Sequence, residues 1–285
     1  MKNSYPKSLF IAVTLLTSLA FPAQKKVLVI SDIDDTLKVS HVLNPIYAAA
    51  RMPNYTVRFS GMAQLFQLLA QQPDTSTEFA YISNALKSVA GVPLLEMTHE
   101  QFLAHNHFPA GILTLRENLF DHDHKIREIR QQLNQVRPDA VIFFGDNGQR
   151  DSEIYQQAVT EYKNTGIHFT TFIHQVYKTK RGLFDGPLFP EIGNKILMGQ
   201  VAYITPVEIA LELNQQDLFD KKSTHWMIRN VGTNVVQEKF YNSDAIDNIT
   251  FPSFQDCSEF VWVWPVTTEL IPLVKKINST CHKIF

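Results

Sequence analysis

An uninterrupted apolar run near the amino terminus ends in two aspartates that are one residue apart. Residues 27–30 read VLVI, which is typical of a strand buried on both faces of a parallel sheet. Asp32 and Asp34 then follow the carboxyl end of that strand, where open α/β sheets bind ligands. One such carboxylate can attack as a nucleophile while the other donates and removes a proton, and a hard cation screens their repulsion. Acidic residues after a strand also form solvated turns or cap helices, so the motif alone leaves both interpretations open.

Amphipathic helices alternate with apolar strands along the next 150 residues or so. Residues 41–60 contain Pro45 and Pro53 and are predicted to be irregular. Helices are predicted after Gly61, from about Leu94 to residue 107, from Asp121 or Asp123 to residue 136, and from Ser152 to about residue 162. The predicted strands are residues 27–30, 79–83, 112–116, 140–144 and 167–173. This alternation predicts an α/β fold with a central parallel sheet, right-handed crossovers and helices on both faces.

The first motif, Asp32-Ile33-Asp34-Asp35-Thr36, resembles the Asp-x-Asp-x-Thr motif of the haloacid-dehalogenase-like (HAD-like) phosphotransferases. Three later stretches match the remaining motifs of that superfamily in the right order. Ser83, followed by Asn84, ends the second strand in the place of a hydroxyl that bonds a phosphoryl oxygen. Lys125 opens the helix after the third strand, where an ammonium offsets negative charge, and Gly145-Asp146 with Asp151 follows the fourth strand as oxygen ligands for Mg²⁺.

Each of these signals has an ordinary structural alternative when it is taken alone. Ser83 is also typical of a turn, Lys125 of an exposed helix residue, and Asp151 of a helix N-cap. His122 and His124 flank the lysine, and we interpret them as helix-start or supporting groups rather than as metal ligands. The four motifs together, each at a strand end or helix start, favour the Rossmann-like HAD fold.

Within that superfamily, residues 25–178 resemble the App1-type phosphatidate phosphatases, which are distantly related to the lipin catalytic region. The stretches that carry the resemblance are SDIDDTLKVS from Ser31, FAYISNA from Phe79, FLAHNHFPAGILTLRENLFDHDHKIREI from Phe102 and FFGDNGQRDSEIY from Phe143. The resemblance does not extend over residues 180–285.

The resemblance implies a mechanism in which Asp32 attacks phosphorus to form an aspartyl-phosphate. Asp34 would protonate the leaving alkoxide and later activate water. Ser83, Asn84 and Lys125 would hold the phosphoryl oxygens. Mg²⁺ would be held by Asp32, the main-chain carbonyl of Asp34 and Asp146, with Asp151 in support. The family usually continues its second motif as Ser-Asn-Ser-Pro, whereas this chain has Ala85 and Leu86, so the chemistry is better supported than the substrate.

The amino terminus is predicted to be a signal peptide. Lys2 and Lys7 precede an apolar stretch at residues 9–21 that is shorter than the roughly 20 residues a membrane span needs, and small-residue cleavage candidates follow. An uncleaved anchor or a buried helix is the alternative. The predicted organisation is a signal peptide at 1–23, a HAD-like catalytic core at 24–178 and an extension of unknown role at 179–285. Secretion or a periplasmic location follows from the signal peptide.

The extension is predicted to be an α+β segment packed on the core, because no polar linker separates the two. It should contain a helix from Thr205 to about residue 219, a hairpin formed by residues 226–230 and 235–240, a strand at 260–264 and a helix at 268–281. Cys257 and Cys281 form a disulfide if the chain is exported, or remain buried thiols.

Composition restricts the partners. The formal net charge is −2, and the sequence shows no stripe of lysine and arginine residues, which argues against nucleic acid as the main partner. The resemblance to the App1-type family implies Mg²⁺-dependent hydrolysis of phosphatidate, a phospholipid, at a membrane surface. The alternatives are a phosphatase of a soluble phosphomonoester or phosphoprotein, and a non-catalytic phospholipid-binding module. Large apolar residues of the extension, namely Phe184, Leu188, Phe189, Trp262 and Trp264, either contact a membrane or form core.

Overall fold

A six-stranded, wholly parallel sheet forms the centre of the chain. The computed structural model describes residues 24–88, 91–180, 191–237, 245–246, 257 and 259–281. Its strands are β1 (Lys25–Ser31), β3 (Thr75–Leu86), β4 (Ile112–Arg116), β5 (Ala140–Asp146), β6 (His168–His174) and β7 (Val201–Tyr203), while β2 (Arg58–Phe59) pairs with β8 (Ala245–Ile246) separately. The strand order in the six-stranded sheet is β4-β3-β1-β5-β6-β7. The predicted α/β fold with a parallel sheet is confirmed.

Helices cover both faces of this sheet. They are α1 (Pro45–Arg51), α2 (Met62–Ala70), α3 (Leu94–His105), α4 (His124–Val136), α5 (Asp151–Tyr162), α6 (Pro206–Gln215), α7 (Lys221–Trp226), α8 (Thr233–Gln237) and α9 (Ile271–Cys281), with a π-helical segment at Met227–Gly232. Apolar residues of α4 and α5 pack on one face, and those of α2, α3 and α6 pack on the other. The region 41–60, predicted to be irregular, contains α1, which begins at Pro45 because Asn44 caps it.

The central strand β1 is buried from both sides. Val27 and Val29 belong to the apolar core on one face, while Leu28 and Ile30 belong to the core on the other. All four are at most 2% exposed. A continuous apolar run is therefore required here, because alternate side chains of a strand point to opposite faces.

The chain reverses its direction of travel across the sheet at β1 and β5. From β1 it continues through α2, on one face, to β3, whereas from β5 it continues through α5, on the opposite face, to β6. These two strands are neighbours, paired from Val27 with Ala140 to Ser31 with Phe144. Diverging connections leave a crevice at the carboxyl ends of both strands, and ligands of open α/β sheets bind in such a crevice.

The extension packs on the core, but the predicted hairpin is wrong. Residues 226–237 are helical, and residues 238–240 lie outside the described residues. Met227, Val231 and Val235 recur every four residues and are all buried, which is the spacing of a helix face. Gly232 suggested a turn, yet it lies inside the π-helical segment, against Val207 and Leu273.

The predicted strand at 260–264 is also wrong. Phe260 and Trp264 are buried whereas Val261 and Val263 are exposed, so side chains alternate as they do in a strand. No strand within the described ranges pairs with this segment, which therefore forms no sheet. Trp264 donates a hydrogen bond to Glu212 at 3.0 Å and belongs to the core. Trp262 is partly buried and packs against the same core, while the other three candidates, Phe184, Leu188 and Phe189, lie outside the described residues.

Cys257 and Cys281 form a disulfide that ties the segment before residue 260 to the end of α9. The predicted signal peptide at 1–23 lies outside the described residues. Within the described ranges, none of the helices has both the length and the apolar composition needed to cross a bilayer.

Candidate active site

The ends of β1 and β5 bring acidic side chains from distant parts of the chain together. The main-chain N–H of Asp32 donates to the carbonyl of Phe144 at 2.9 Å, so Asp32 continues the pairing of β1 with β5. Asp146 is the last residue of β5, and Asp151 is the first residue of α5. One carboxylate oxygen from each aspartate lies within 4.8 Å of the other two. We call these three residues the acidic cluster.

Lys125 enters the acidic cluster from the first turn of α4. Its Nζ lies 2.8 Å from Oδ1 of Asp32 and 2.5 Å from Oδ1 of Asp151. The lysine is 1% exposed, and none of the three aspartates exceeds 2%. Burial alone would lower the pKa of Lys125, but the two carboxylates outweigh it and hold that pKa above its ordinary value. Lys125 therefore stays protonated in the site.

Gly145 is required for the close approach of α5 to the end of β5. A Cβ at this position would lie 2.6 Å from the Cβ of Asp151 and 2.7 Å from the ring of Tyr155. Asp151 also accepts a hydrogen bond from the main-chain N–H of Asp146, at 3.3 Å. The glycine thus allows the carboxylate of Asp151 to lie beside that of Asp146.

The acidic cluster fits a divalent cation. Three carboxylates and one ammonium leave two negative charges in a buried site. Burial, with the neighbouring carboxylates, raises the pKa of Asp146 well above its ordinary value, and burial does the same for Asp32 against the opposing effect of Lys125. The Oδ2 atom of Asp146 is buried and has no hydrogen-bond partner. A hard cation with oxygen ligands satisfies both the charge and this oxygen.

Asp34 points away from the acidic cluster. Its Oδ1 accepts a hydrogen bond from Ser40 Oγ at 2.5 Å, and its Oδ2 lies 3.0 Å from Nε2 of His99 and 3.4 Å from Ser83 Oγ. Burial alone would raise the pKa of Asp34, but His99, with Lys38 and Ser40, holds it well below its ordinary value. The two aspartates of the first motif therefore have different partners.

The loop that follows the first motif is organised by Asp35. Its carboxylate accepts hydrogen bonds from the main-chain N–H groups of Ser40, His41 and Val42 at 2.7–2.9 Å, and from the hydroxyl of Tyr177. Asp35 and His41 both have a φ of 61°, which is uncommon for residues other than glycine. This tight loop places Ser40 against Asp34.

Asp32, Lys125, Asp146 and Asp151 therefore meet in space, and Ser83 lies next to Asp34. The amide of Asn84 donates to the side chain of Gln149 at 3.1 Å rather than to any of these groups. The resemblance assigned the metal contact of Asp34 to its main-chain carbonyl, and the side chain of Asp34 is not a member of the acidic cluster. The roles of these residues in phosphate binding and catalysis stay predictions.

Sequence reasoning missed His99, Ser40, Lys38 and the loop role of Asp35. His99 lies on α3, 65 positions after its partner Asp34, so no local pattern connects the two. Lys38 and Ser40 are within the quoted first stretch, but only the fold of the loop shows that they face Asp34. The sequence contains a partial signal for His99. It lies three and four positions before Phe102 and Leu103 on the same predicted helix, and this spacing places a polar group near the core.

An open groove leads to Asp34. Its volume is about 290 Å³, and α1 and α3 contribute to its walls. The polar lining residues are Asp34, Lys38, Ser40, Asn84, His99 and Gln149, and the apolar ones are Val42, Ala48, Ala49, Met52, Ala85 and Leu95. Ala85, where the resemblance is broken, is one of the lining residues.

Exposed apolar side chains project from the elements beside the groove. We call these residues the apolar rim: Ile46 and Tyr47 on α1, Val92, Leu94 and Met97 at the start of α3, and Leu119 and Phe120 after β4. Lys87 lies 3.6 Å from both Glu96 and Glu117, which holds the start of α3 near the loop after β4. Phe120 is 86% exposed, which is unusual for a large aromatic side chain.

The fold and the acidic cluster define an α/β protein with a buried group of carboxylates that could hold a metal ion at the carboxyl ends of β1 and β5. A family model for the catalytic domain of the phosphatidate phosphatase APP1 matches residues 27–168, about half of the chain. Over these residues the chain belongs to the App1-type family of HAD-like phosphatases.

Two solved structures show a weaker similarity. One, the structure of the Pnkp1/Rnl/Hen1 RNA repair complex, has 14% identity and a TM-score of 0.33 over 55% of this chain and 46% of that chain. The other, a Pnkp1/Rnl/Hen1 complex, has 16% identity and a TM-score of 0.34 over 54% of this chain and 49% of that chain. This chain thus covers about half of each, and the scores are too low to support an argument. No curated protein matches the chain.

Proposed function

We propose that this protein is a Mg²⁺-dependent phosphatase that acts through an aspartyl-phosphate on lipid phosphomonoesters at a membrane surface. Phosphatidate is the first candidate substrate, with diacylglycerol and phosphate as products. The family match over residues 27–168 supports the reaction class. The observation that carries the proposal is the acidic cluster with Lys125, buried at the crevice between β1 and β5.

Asp32 is the nucleophile of the proposed reaction. It attacks phosphorus, the bond from phosphorus to the ester oxygen breaks, and Asp34 donates a proton to that oxygen. Water then attacks the aspartyl-phosphate, Asp34 takes a proton from the water, and phosphate leaves with Asp32 restored. Lys125 keeps Asp32 oriented and offsets charge on the phosphoryl oxygens.

The acidic cluster, with the Oδ2 atom of Asp146 among its oxygens, would hold Mg²⁺. When bound, this ion supplies positive charge that keeps Asp32 ionised and balances the charge of the phosphoryl group. Ser83 and Asn84 lie at the end of β3, on the groove side of the site, where we place the phosphate contact. Gln149 orients the amide of Asn84.

A lipid substrate is supported by the groove and the apolar rim. A groove of about 290 Å³ holds the part of a lipid next to the phosphate but not two long acyl chains. The seven exposed apolar residues of the apolar rim suit contact with a membrane in which those chains remain. We also propose that the protein is exported, on the basis of the apolar stretch at residues 9–21.

The reaction class is tested with purified protein and a soluble phosphate ester such as p-nitrophenyl phosphate. We expect phosphate release with Mg²⁺, none with EDTA, and a loss of about 10⁴-fold or more in Asp32→Asn, which removes the attacking oxyanion. Asp123→Asn, an exposed aspartate beside α4, is the matched control. Normal turnover by Asp32→Asn would disprove the nucleophile assignment.

The substrate class is tested by comparing phosphatidate in vesicles with water-soluble esters. We expect a preference for the vesicle substrate, and we expect Phe120→Asp and Met97→Asp to lower activity on vesicles while activity on the soluble ester is kept. Val263→Asp, at an exposed apolar position outside the apolar rim, should change neither. Equal activity on both substrates would favour the second candidate, a soluble phosphomonoester, which the limited volume of the groove also accommodates.

A further inference from the structure

Lys38 is a buried lysine in the lining of the groove that leads to Asp34. It is 1% exposed. Its main-chain N–H donates to the carbonyl of Ile33 at 2.8 Å, and its own carbonyl accepts from the N–H of Asp35 at 2.7 Å. The first motif thus holds the main chain of Lys38 through both groups, and the lysine keeps a fixed place beside Asp34.

The side chain of Lys38 has more hydrogen-bond donors than partners. Its Nζ donates to the main-chain carbonyl of Met52 at 3.1 Å. Within the described residues this is the single hydrogen bond from Nζ, and no carboxylate there forms an ion pair with it. An ammonium group has three N–H donors, so two of them have no partner in the protein. Because buried donors are normally satisfied, these two require an acceptor from outside the chain.

The groove is the place from which such an acceptor can come. Lys38 and Met52 both line it, together with Asp34. In the proposed reaction Asp34 protonates the ester oxygen, so the leaving alcohol occupies the groove next to Lys38. The phosphoryl oxygens already have Ser83, Asn84 and Lys125 as their proposed partners. The acceptor for Lys38 therefore belongs to the alcohol and not to the phosphate.

We propose that Lys38 is a specificity-determining residue that donates a hydrogen bond to an oxygen of the leaving alcohol, close to the phosphate ester. This inference rests on the proposed function and names the substrate class within it. The preferred substrates are phosphomonoesters of alcohols with an uncharged oxygen acceptor near the ester, as in glycerol and its acyl derivatives. Phosphomonoesters of plain alkyl alcohols are disfavoured, because they leave the two donors unsatisfied.

The charges of the groove favour an uncharged acceptor over a second anionic group. Among the described lining residues, Lys38 is the one lysine or arginine and Asp34 is the one carboxylate. A second phosphate in the groove would meet the charge of Asp34 as well as that of Lys38. A hydroxyl or an ester carbonyl accepts a hydrogen bond without this repulsion.

The contact with Met52 also gives Lys38 a structural role. It connects the residue after α1 to the first motif. Loss of this connection would affect every substrate of the groove alike. Loss of the proposed contact affects only those substrates that contain the acceptor, and this difference makes the two roles separable.

The test compares kcat/KM for glycerol phosphate with that for n-propyl phosphate, which has the same carbon chain without hydroxyl groups. In Lys38→Met we expect the value for glycerol phosphate to fall by about 10- to 100-fold, and that for n-propyl phosphate to fall by less than about threefold. The intrinsic difference between the two leaving groups is the same in both proteins, so it cancels from the change in their ratio. Lys163→Met, at an exposed lysine after α5, is the matched control and should change neither value.

Equal losses with both esters in Lys38→Met would overturn the inference, because they are the result of a structural role alone. The proposed function would then still stand. Wild-type protein that hydrolyses neither ester with Mg²⁺ would overturn the proposed function, and the inference with it.

A lipid comparison identifies the source of the acceptor. Phosphatidate with ester-linked chains has carbonyl oxygens near the phosphate, whereas its ether-linked analogue has none. If the carbonyl is the acceptor, wild-type protein should prefer the ester-linked lipid in vesicles by about tenfold, and Lys38→Met should lose this preference. If the preference occurs for glycerol phosphate alone, the acceptor is a free hydroxyl, and the inference holds for soluble polyol phosphates.

A measurement on the wild-type protein covers the case in which Lys38→Met does not fold. In dihydroxybutylphosphonate and butylphosphonate a carbon replaces the ester oxygen, so both act as inhibitors without a leaving group. We expect the inhibition constant of the dihydroxy compound to be lower by about tenfold or more. Equal inhibition constants would overturn the inference.

Discussion

Asp32 and Asp34 are two residues apart, yet they belong to two different halves of the site. The side chain of Asp32 is 3% exposed and shares Lys125 with Asp151, whereas that of Asp34 is 16% exposed, is hydrogen-bonded to His99 and lines an open groove. The first half concentrates negative charge and can bind a cation, while the second joins Asp34 to His99 by a hydrogen bond. Residues two apart in a regular strand point to the same face, so this division arises because β1 ends at Ser31 and the chain leaves the regular strand there.

Substitutions in the two halves should have different effects on Mg²⁺. We expect Asp146→Asn to raise the Mg²⁺ concentration for half-maximal activity by at least about tenfold, because it removes charge from the acidic cluster. Asp34→Asn should lower the rate with an alkyl ester by about 10²–10⁴-fold and leave that concentration unchanged. Activity measured as a function of Mg²⁺ separates the two results. An equal shift in both variants would remove the distinction between the halves.

Removing the ammonium group of Lys125, which contacts two carboxylates of the acidic cluster, should destabilise the fold. In Lys125→Met, two buried carboxylates lose their partner, and we expect a loss of about 3–5 kcal/mol in the free energy of unfolding when Mg²⁺ is absent. Mg²⁺ should restore part of this stability, because it compensates the same charge. Urea denaturation with EDTA and with Mg²⁺ measures both quantities.

Lys87→Met is the matched control for that experiment. Lys87 is partly exposed, and its carboxylate partners are 3.6 Å away, so its loss should have a much smaller effect. A similar loss in both variants would show that the ion pairs of the acidic cluster are no more important for stability than surface pairs.

Glu208 is a buried carboxylate outside the acidic cluster. Its effect on stability can therefore be compared with that of the carboxylates in the cluster. Burial raises its pKa to about 7, although hydrogen bonds from Thr205 and Ile204 oppose this. The folded protein thus binds more protons than the unfolded chain between about pH 4.5 and about pH 7, and this contribution to stability is lost as the pH rises through that interval. The loss is about 3 kcal/mol at most.

In Glu208→Gln this part of the pH dependence should be absent, and Mg²⁺ should not alter it in the wild type. Denaturation midpoints measured from pH 4.5 to pH 8 check both expectations. If Mg²⁺ changed the contribution of Glu208, the acidic cluster and this residue would have to be treated as one electrostatic unit.

The smallest effect is expected from the wall of the groove. Ala85→Leu adds apolar volume to the lining without contacting the acidic cluster. We expect KM for phosphate esters to rise several-fold, with the Mg²⁺ dependence unchanged. A changed Mg²⁺ dependence would show that the groove and the cation site are coupled.

The elements of the sheet were predictable because each has a local signal. The run at 27–30 and the strand at 140–144 are continuously apolar, and Gly61 and Asp151 mark helix starts that the structure contains. The segment at 226–240 was misassigned because Gly232 and Asn234 resemble a turn. Its four-residue spacing of Met227, Val231 and Val235 was the stronger signal, since burial along one face decides between helix and hairpin.

The sequence by itself determined the parallel sheet, the order of the motifs and the family over residues 27–168, because strand burial and motif spacing are local properties. Only the tertiary structure decided that Asp32 and Asp34 face different partners, that Lys125 lies 2.5 Å from Asp151, and that His99 bonds Asp34. These contacts join residues 26 and 65 positions apart, and they depend on how helices α3, α4 and α5 pack on the sheet. The orientation of a side chain toward a distant partner is a property of that packing, and no local pattern in the sequence contains it.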